Sequence, residues 1–374
     1  MKTPFIFGRV VTDTSFINRT SEISRLENNF KNHVNTILIS PRRWGKSSLV
    51  KKTTLQLNQD DSNLIFCFLD LFRIRSENEF YKQYASQVIK STSGKLDDWI
   101  RSVKDLLGRL STNISFGTDP VNDFQISFGL ANGELDKEEI LNLPEKIAQQ
   151  KNKHIVVLID EFQNIMNYPE SVDFQRLLRS VWQHHENVSY CIYGSKRHMM
   201  MELFESQSMP FYKFGELMFL EKIGKNHFVE FITNSFALSS KFIDPVLCEK
   251  VYDLVDGHPY FVQQLAHVLW GNTDMEVTEL ILENSVKDVL AQNSILYQEI
   301  INMLSINQLS YLVALSKGVE NLSSKDVLNQ YELGTSANVS KIRKALINKE
   351  IIDINHNQPE FTDPFFRIFL QSNF

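Results

Sequence analysis

An α/β fold is predicted: a parallel sheet with helices on both faces, then a helical stretch, then three short helices and a β-ribbon. Three observations carry this reading. Short apolar runs alternate with helical periodicity up to about residue 222, strand-like runs nearly stop after it, and a new pattern of short helices begins near Gln308.

Taken in order, residues 22–30 place Ile23, Leu26 and Phe30 on one helical face, with Thr20 and Ser21 as candidate caps. TILIS at 36–40 is short, apolar and β-branched, and the segment after it becomes helical, which gives strand, loop, helix. LIFCFLDLF at 64–72 is nearly continuous in apolar residues, the pattern of a strand covered on both faces. Helices are predicted over 77–89 and 97–110. The stretch NISFGTDPVNDFQISFGL alternates in part and breaks at Asp119 and Pro120, so a hairpin insertion is predicted at about 111–130. HIVVLIDEF at 154–162 and SYCIYGS at 189–195 supply a third and a fourth strand. The helix between them, at 172–184, carries Phe174, Leu177, Leu178 and Val181.

Amphipathic helices at 225–236 and 259–270 then suggest a helical lid. LSYLVALS, SSKDVLNQYELG and SANVSKIRKALINKEI, followed by the ribbon IDINHNQPEFT, read as a winged helix-turn-helix. A chain of 374 residues exceeds the size at which one core keeps growing. The expected division is 1–222 for the sheet domain, 223–305 for the lid and 306–374 for the winged helix.

Composition is that of an ordinary globular protein, and a net charge of -6 argues against coating nucleic acid by bulk electrostatics. Cys67, Cys191 and Cys248 are far apart with no CxxC pair, which fits neither a zinc site nor a disulfide framework. The opening residues lack an apolar signal-peptide region and no apolar run is long enough to span a bilayer, so a cytoplasmic protein with no membrane partner is expected.

The chemistry starts at Ser40, Pro41, Arg42, Arg43, Trp44, Gly45, Lys46 and Ser47, which match the phosphate-binding P-loop template GxxxxGK[ST] except at its first glycine. In such a loop Gly45 lets the backbone approach phosphates, and successive N–H groups with the following helix N-terminus stabilise the anion. Lys46 is then placed for the β and γ phosphates of ATP, and the Ser47 hydroxyl for Mg2+, with Ser48 next in the turn. If the first position needed a positive φ, Ser40 would cost about 1 kcal/mol or more, so the turn is expected to differ there. Arg42 and Arg43 leave phosphate, lid and solvent contact open.

A bare GKS is weak evidence, and its setting between an apolar strand and a helix strengthens it. So does IVVLIDEF, an apolar strand ending in two carboxylates. Asp160 is the candidate holder of Mg2+ and Glu161 the group that orients or deprotonates the attacking water, at the strand ends where ligands bind in open α/β sheets. The competing reading is that both acids merely end a strand and cap the next helix.

SPRRWGKSSL, VVLIDEFQNI and the upstream FINRTSEISRL together resemble the archaeal-type ATPase family of P-loop proteins, close to the AAA+ and STAND classes. The resemblance runs from about Phe5 to Phe369 and is weakest in the C-terminal third. It implies that a Ser at the P-loop's first position is tolerated. It also implies that Phe16, Arg19 and Glu22, with Asn18 in place of the usual Gly, contribute to an adenine and ribose pocket. A helix cap with a surface ion pair is the alternative for Arg19 and Glu22. By the same resemblance YCIYGSKRHMM carries a strand-end sensor, Ser195, and Arg197 contacts phosphate, reaches a neighbouring subunit or is simply solvated. GHPYFVQQLA is similar to the GxP lid motif, with Pro259 packing on the base and His258 structural.

The presumed recognition helix carries Lys341, Arg343 and Lys344, with Ser336, Asn338 and Ser340 near its start. It either enters a major groove of double-stranded DNA or presents a solvated face, and in STAND proteins such a module folds back as a lock. Phe366 and Phe369 are expected in the core. The expectation is a Mg-dependent ATPase that works as a nucleotide-driven switch; the alternatives are a nucleotide-regulated DNA-binding protein and an interaction module with an inactive P-loop. A protein partner or a homo-oligomer stays open.

Overall fold

The computed structural model describes residues 3–12, 15–92, 110–116, 124–130, 137–355 and 358–374. It forms two compact units. One comprises Arg19–Ser40 and Lys46–Glu221, the other Met1–Asn18, Pro41–Gly45 and Lys222–Phe374.

The first of these holds a sheet of parallel strands: β1 (Thr36–Ile39), β2 (Leu64–Asp70), β5 (His154–Asp160), β6 (Val188–Gly194) and β7 (Glu216–Phe219), in the order β2-β5-β6-β1-β7. β3 (Leu110–Phe116) and β4 (Phe124–Leu130) pair antiparallel as a separate ribbon, as the broken alternation predicts. The central strands are mostly apolar because both faces are covered: every residue of β1 and β6 is buried. β7 was not predicted. It has four residues with one buried position, too short and too exposed to stand out from its surroundings.

The helices of this unit are α1 (Thr20–Lys31), α2 (Lys46–Asp60), α3 (Glu77–Thr92), α4 (Lys137–Leu141), α5 (Leu143–Lys151), α6 (Ser171–Trp182) and α7 (Arg197–Glu205). The expected caps of α1 are corrected: Thr20 and Ser21 lie inside the helix, Arg19 occupies the N-cap, and no side chain caps the helix there. The helix predicted over 97–110 lies outside the described residues, apart from Leu110, which begins β3. Aromatic rings fill the core, with Trp182 stacked on Tyr190 at 4.3 Å between centroids and Phe162 edge-on to Phe211 at 5.3 Å.

The other unit contains α8 (Lys225–Ala237), α9 (Pro245–Leu254), α10 (Pro259–Asn272) and α11 (Glu279–Asn302), then α12 (Ile306–Ser316), α13 (Lys325–Gln330), α14 (Ser336–Asn348), the antiparallel ribbon β8 (Ile352–Asn355) and β9 (Gln358–Phe361), and α15 (Pro364–Asn373). Local chemistry sets the helix starts: Ser305 and Gln308 form a reciprocal capping box on α12, and Asp363 caps α15 ahead of Pro364. Phe366 and Phe369 are 2% and 7% exposed, in the core as expected. The three cysteines are buried and unpaired with one another. Among the described residues no helix is long and apolar enough to cross a membrane.

Candidate nucleotide site

Strand order places β6 between β1 and β5, and the register pairs Ile39 with Gly194 and Ile159 with Ile192. The C-terminal ends of β1, β6 and β5 therefore lie side by side, and the residues that follow them meet.

After β1, Ser40 is fully buried and is not among the positive-φ residues, so replacing the template's first glycine costs no backbone strain there. The left-handed positions are Arg43, with φ 63°, and Gly45, with φ 89°. A Cβ on Gly45 would meet nothing within 4 Å, so this glycine is required by conformation and not by crowding. α2 then begins at Lys46, which puts unsatisfied N–H groups at the loop. The Lys46 side chain is 5% exposed and its Nζ donates to the Ser40 carbonyl oxygen at 3.4 Å.

One turn residue further, Ser47 Oγ donates to Asp160 Oδ2 at 2.9 Å, joining the P-loop helix to the end of β5. The Glu161 backbone N–H donates to the other carboxylate oxygen, Oδ1, at 2.8 Å. Burial pushes the Asp160 carboxyl up to about 6, the neighbouring Glu161 charge adds to this, and the Ser47 hydrogen bond and the Lys46 charge oppose it. A cation at this point would favour the charged carboxylate. A hydroxyl and a carboxylate are hard oxygen donors that suit Mg2+, which characteristically takes one or two protein groups together with phosphate and water. Among the described residues no three His, Cys, Asp or Glu side chains cluster as a metal cage.

Glu161 departs from strand geometry altogether. Its φ of 53° and ψ of 39° are left-handed, a conformation that costs a long side chain about 1 kcal/mol or more. Its Oε2 accepts hydrogen bonds from Ser195 Oγ at 2.9 Å and from Gln163 Nε2 at 2.5 Å. The sequence pointed to Ser195. It gave no role to Gln163, although the amide stands two residues after the acid in DEFQ.

The loop tip belongs to the other unit, and its contacts lie there. Arg42 Nη1 is 3.6 Å from Glu350 Oε2, the Arg43 guanidinium lies 4.5 Å from the Tyr260 ring centre, and the buried Trp44 indole meets His258 edge-on at 6.0 Å. Both arginines are exposed to solvent as well as making these contacts with Glu350 and Tyr260. Pro259 opens α10, half-buried, and burial pulls the adjacent His258 down to about 3. Ser48 is half-buried in the first turn of α2.

Arg19 and Glu22 do pair, at 2.6 Å, but not on the surface: the Arg19 side chain is 5% exposed, and its Nη1 also donates to the Glu221 carbonyl at 2.7 Å. Burial raises the Glu22 carboxyl, and hydrogen bonds from Ser21 and Arg19 outweigh it to leave it below its ordinary value. Asn18, standing where the family usually has Gly, has φ 23°. Arg197 is half-buried at the start of α7, 6.0 Å from the Phe219 ring centre.

A parallel sheet whose P-loop lysine and serine face a carboxylate on a second strand end defines a P-loop nucleotide-binding ATPase fold. Comparison with known proteins places the chain within that class. The family described as "ATPase domain predominantly from Archaea" matches residues 16–265, and a "probable winged helix domain" matches residues 295–372. The chain belongs to this archaeal-type ATPase family. Among solved structures it is similar to the Walker-type ATPase PABY2304 of Pyrococcus abyssi, with 18% identity, a TM-score of 0.67, and 97% of this chain and 99% of that one covered. It is also similar to the ORC2 protein of Aeropyrum pernix in its ADPNP-ADP complexes, with 15% identity, a TM-score of 0.58 and 98% of each chain covered. No curated protein matches the sequence.

Proposed function

We propose that this protein hydrolyses ATP with Mg2+ and uses the change of nucleotide to switch conformation. The observation that carries the proposal is the Ser47–Asp160 hydrogen bond at the rim that also holds Lys46 and Glu161. Lys46 binds the β and γ phosphates, and the loop from Ser40 to Gly45 with the first N–H groups of α2, through Ser48, cradles them. Ser47 and Asp160 hold Mg2+, which when bound neutralises phosphate charge. Glu161 orients the attacking water and takes its proton, and Ser195, hydrogen-bonded to it, reports on the γ-phosphate end. The A. pernix ORC2 structure was obtained with ADPNP and ADP, and the same ligand class suits the loop present here.

The switch is supported by the tip of the phosphate loop. Arg42, Arg43 and Trp44 contact Glu350, Tyr260 and His258, and the same loop runs without a break into Lys46. Binding and loss of phosphate therefore act on residues in contact with lid and winged-helix segments.

The test is a pair of variants. Lys46→Ala abolishes ATP binding. Glu161→Gln binds ATP as the native protein does and loses turnover by about 100-fold or more. Turnover at the native rate by Glu161→Gln would show that Glu161 has no such role.

A second reading, DNA binding through the winged helix, is favoured by α14. Val339, Ile342 and Leu346 are buried while Ser336, Ser340, Lys341, Arg343 and Lys344 are exposed, so the helix turns a polar, basic face outward. Mobility shifts with double-stranded DNA, with and without ATP, test it. Lys341→Glu and Arg343→Glu would weaken binding and flatten its salt dependence; a shift that ignores both changes would rule this face out.

A further inference from the structure

We infer that Gln163 is a positioning residue for hydrolysis, holding the Glu161 carboxylate in place; this rests on the reading of Glu161 as the group that orients the water. Glutamate has three rotatable bonds, and a group that acts on water must be held to within a fraction of an ångström. The left-handed backbone at Glu161 takes its side chain out of the strand's alternation, so neighbouring strand residues do not fix it. Two donors do. Gln163 Nε2 and Ser195 Oγ converge on the same oxygen, Oε2. Neither of these bonds engages Oε1.

Packing alone does not explain the amide. Gln163 is 0% exposed, in the 3-10 turn Phe162–Asn167, and its Oε1 is buried with no hydrogen-bond partner. Methionine or leucine would fill the same volume without that orphaned acceptor, which is unfavourable in a dry interior. The amide is therefore kept for what its nitrogen does. The neighbouring strand also makes room for it: a Cβ on Gly194 would lie 2.0 Å from Gln163 Oε1 and 2.7 Å from Met200 Sδ. β6 thus ends in a glycine that admits the amide, followed by the serine that supplies the second donor.

The experiment compares steady-state ATP hydrolysis and ATP affinity in the full chain for Gln163→Met, which keeps the size and loses the donor, and Gln163→Asn, which keeps the amide one methylene short. Both are checked for folding by circular dichroism, so a misfolded methionine variant leaves the asparagine variant to decide. The expected result is a kcat lower by about tenfold or more in each, with ATP affinity within twofold of native. In the Glu161→Gln background, Gln163→Met is expected to cause no further loss, because the group it positions is already gone. An unchanged or raised kcat in a folded Gln163 variant, where Glu161→Gln is inactive, overturns this inference and leaves the proposed function standing. Independent, multiplying losses in the double variant, or a parallel loss of ATP affinity, would make Gln163 a structural residue. Native-rate hydrolysis by Glu161→Gln would instead remove the reading on which the inference rests.

Discussion

Gly45→Ala separates what the phosphate loop needs for folding from what it needs for its ligand. At φ 89°, and with nothing within 4 Å of the added methyl, the change imposes backbone strain alone. That strain is about 1–2 kcal/mol for an L-residue, less about 0.4–1 kcal/mol regained because alanine restricts the unfolded chain, so the net loss is about 1 kcal/mol. Gly318, with φ 77° and equally open surroundings, predicts the same stability loss away from the loop. The two differ in nucleotide binding. With ATP·Mg at about 100 times Kd the native protein gains about 2.7 kcal/mol, and a tenfold weaker site gains only about 1.4 kcal/mol at the same concentration. Thermal or urea unfolding with and without ATP·Mg reads both quantities. Both variants should lose similar stability without nucleotide, and Gly45→Ala alone should lose about half of the ligand increment. A full increment in Gly45→Ala would refute the claim that this backbone approaches the phosphates.

Two further predictions concern the sheet unit. His154 is buried, donates to or accepts from Ser189 Oγ at 2.9 Å and stacks on His33 at 3.5 Å; burial lowers it from 6.5 to about 4, with the His33 charge adding to this and Glu145 opposing. The unfolded chain therefore binds the proton first, so this stability is present above pH 6.5 and is lost as pH falls toward 4, amounting to about 2 kcal/mol at pH 5. Urea unfolding between pH 5 and 7.5 should show a shallower pH slope for His154→Gln, and equal slopes would contradict it. Gly194→Ala forces its methyl against Gln163 Oε1 and Met200 Sδ, and should cost about 1–3 kcal/mol in the same assay. No measurable loss would mean that the amide has room to move.

How much of this could be read in advance depended on how local the signal was. β1, β2, β5 and β6 were legible because strands covered on both faces are continuous apolar runs, whereas β7 is a short edge strand with one buried residue. The terminal ribbon and the α12–α14 helices announced themselves through spacing and turn residues. At the candidate site, residue type and setting singled out Lys46, Ser47, Asp160 and Glu161, and the fold brings them to one rim. Contacts set by the tertiary fold were not legible. Arg19 reaches the carbonyl of Glu221, far along the chain, and its burial makes the pair with Glu22 an interior one, where the sequence had left a surface pair as the alternative. Arg42 and Arg43 looked equivalent in the sequence, yet one reaches Glu350 and the other Tyr260. Gln163 was passed over because an amide beside the Asp160–Glu161 pair carries no signature until its partner and its fully buried setting are seen.

The decisive measurement is a crystal structure of the protein grown with Mg2+ and a hydrolysis-resistant ATP analogue. The expected density is a triphosphate wrapped by residues 40–48, the Lys46 ammonium on its β and γ oxygens, and a metal between the Ser47 hydroxyl and the Asp160 side chain. Nucleotide bound elsewhere, or a metal with neither of those groups near it, would contradict the proposed site.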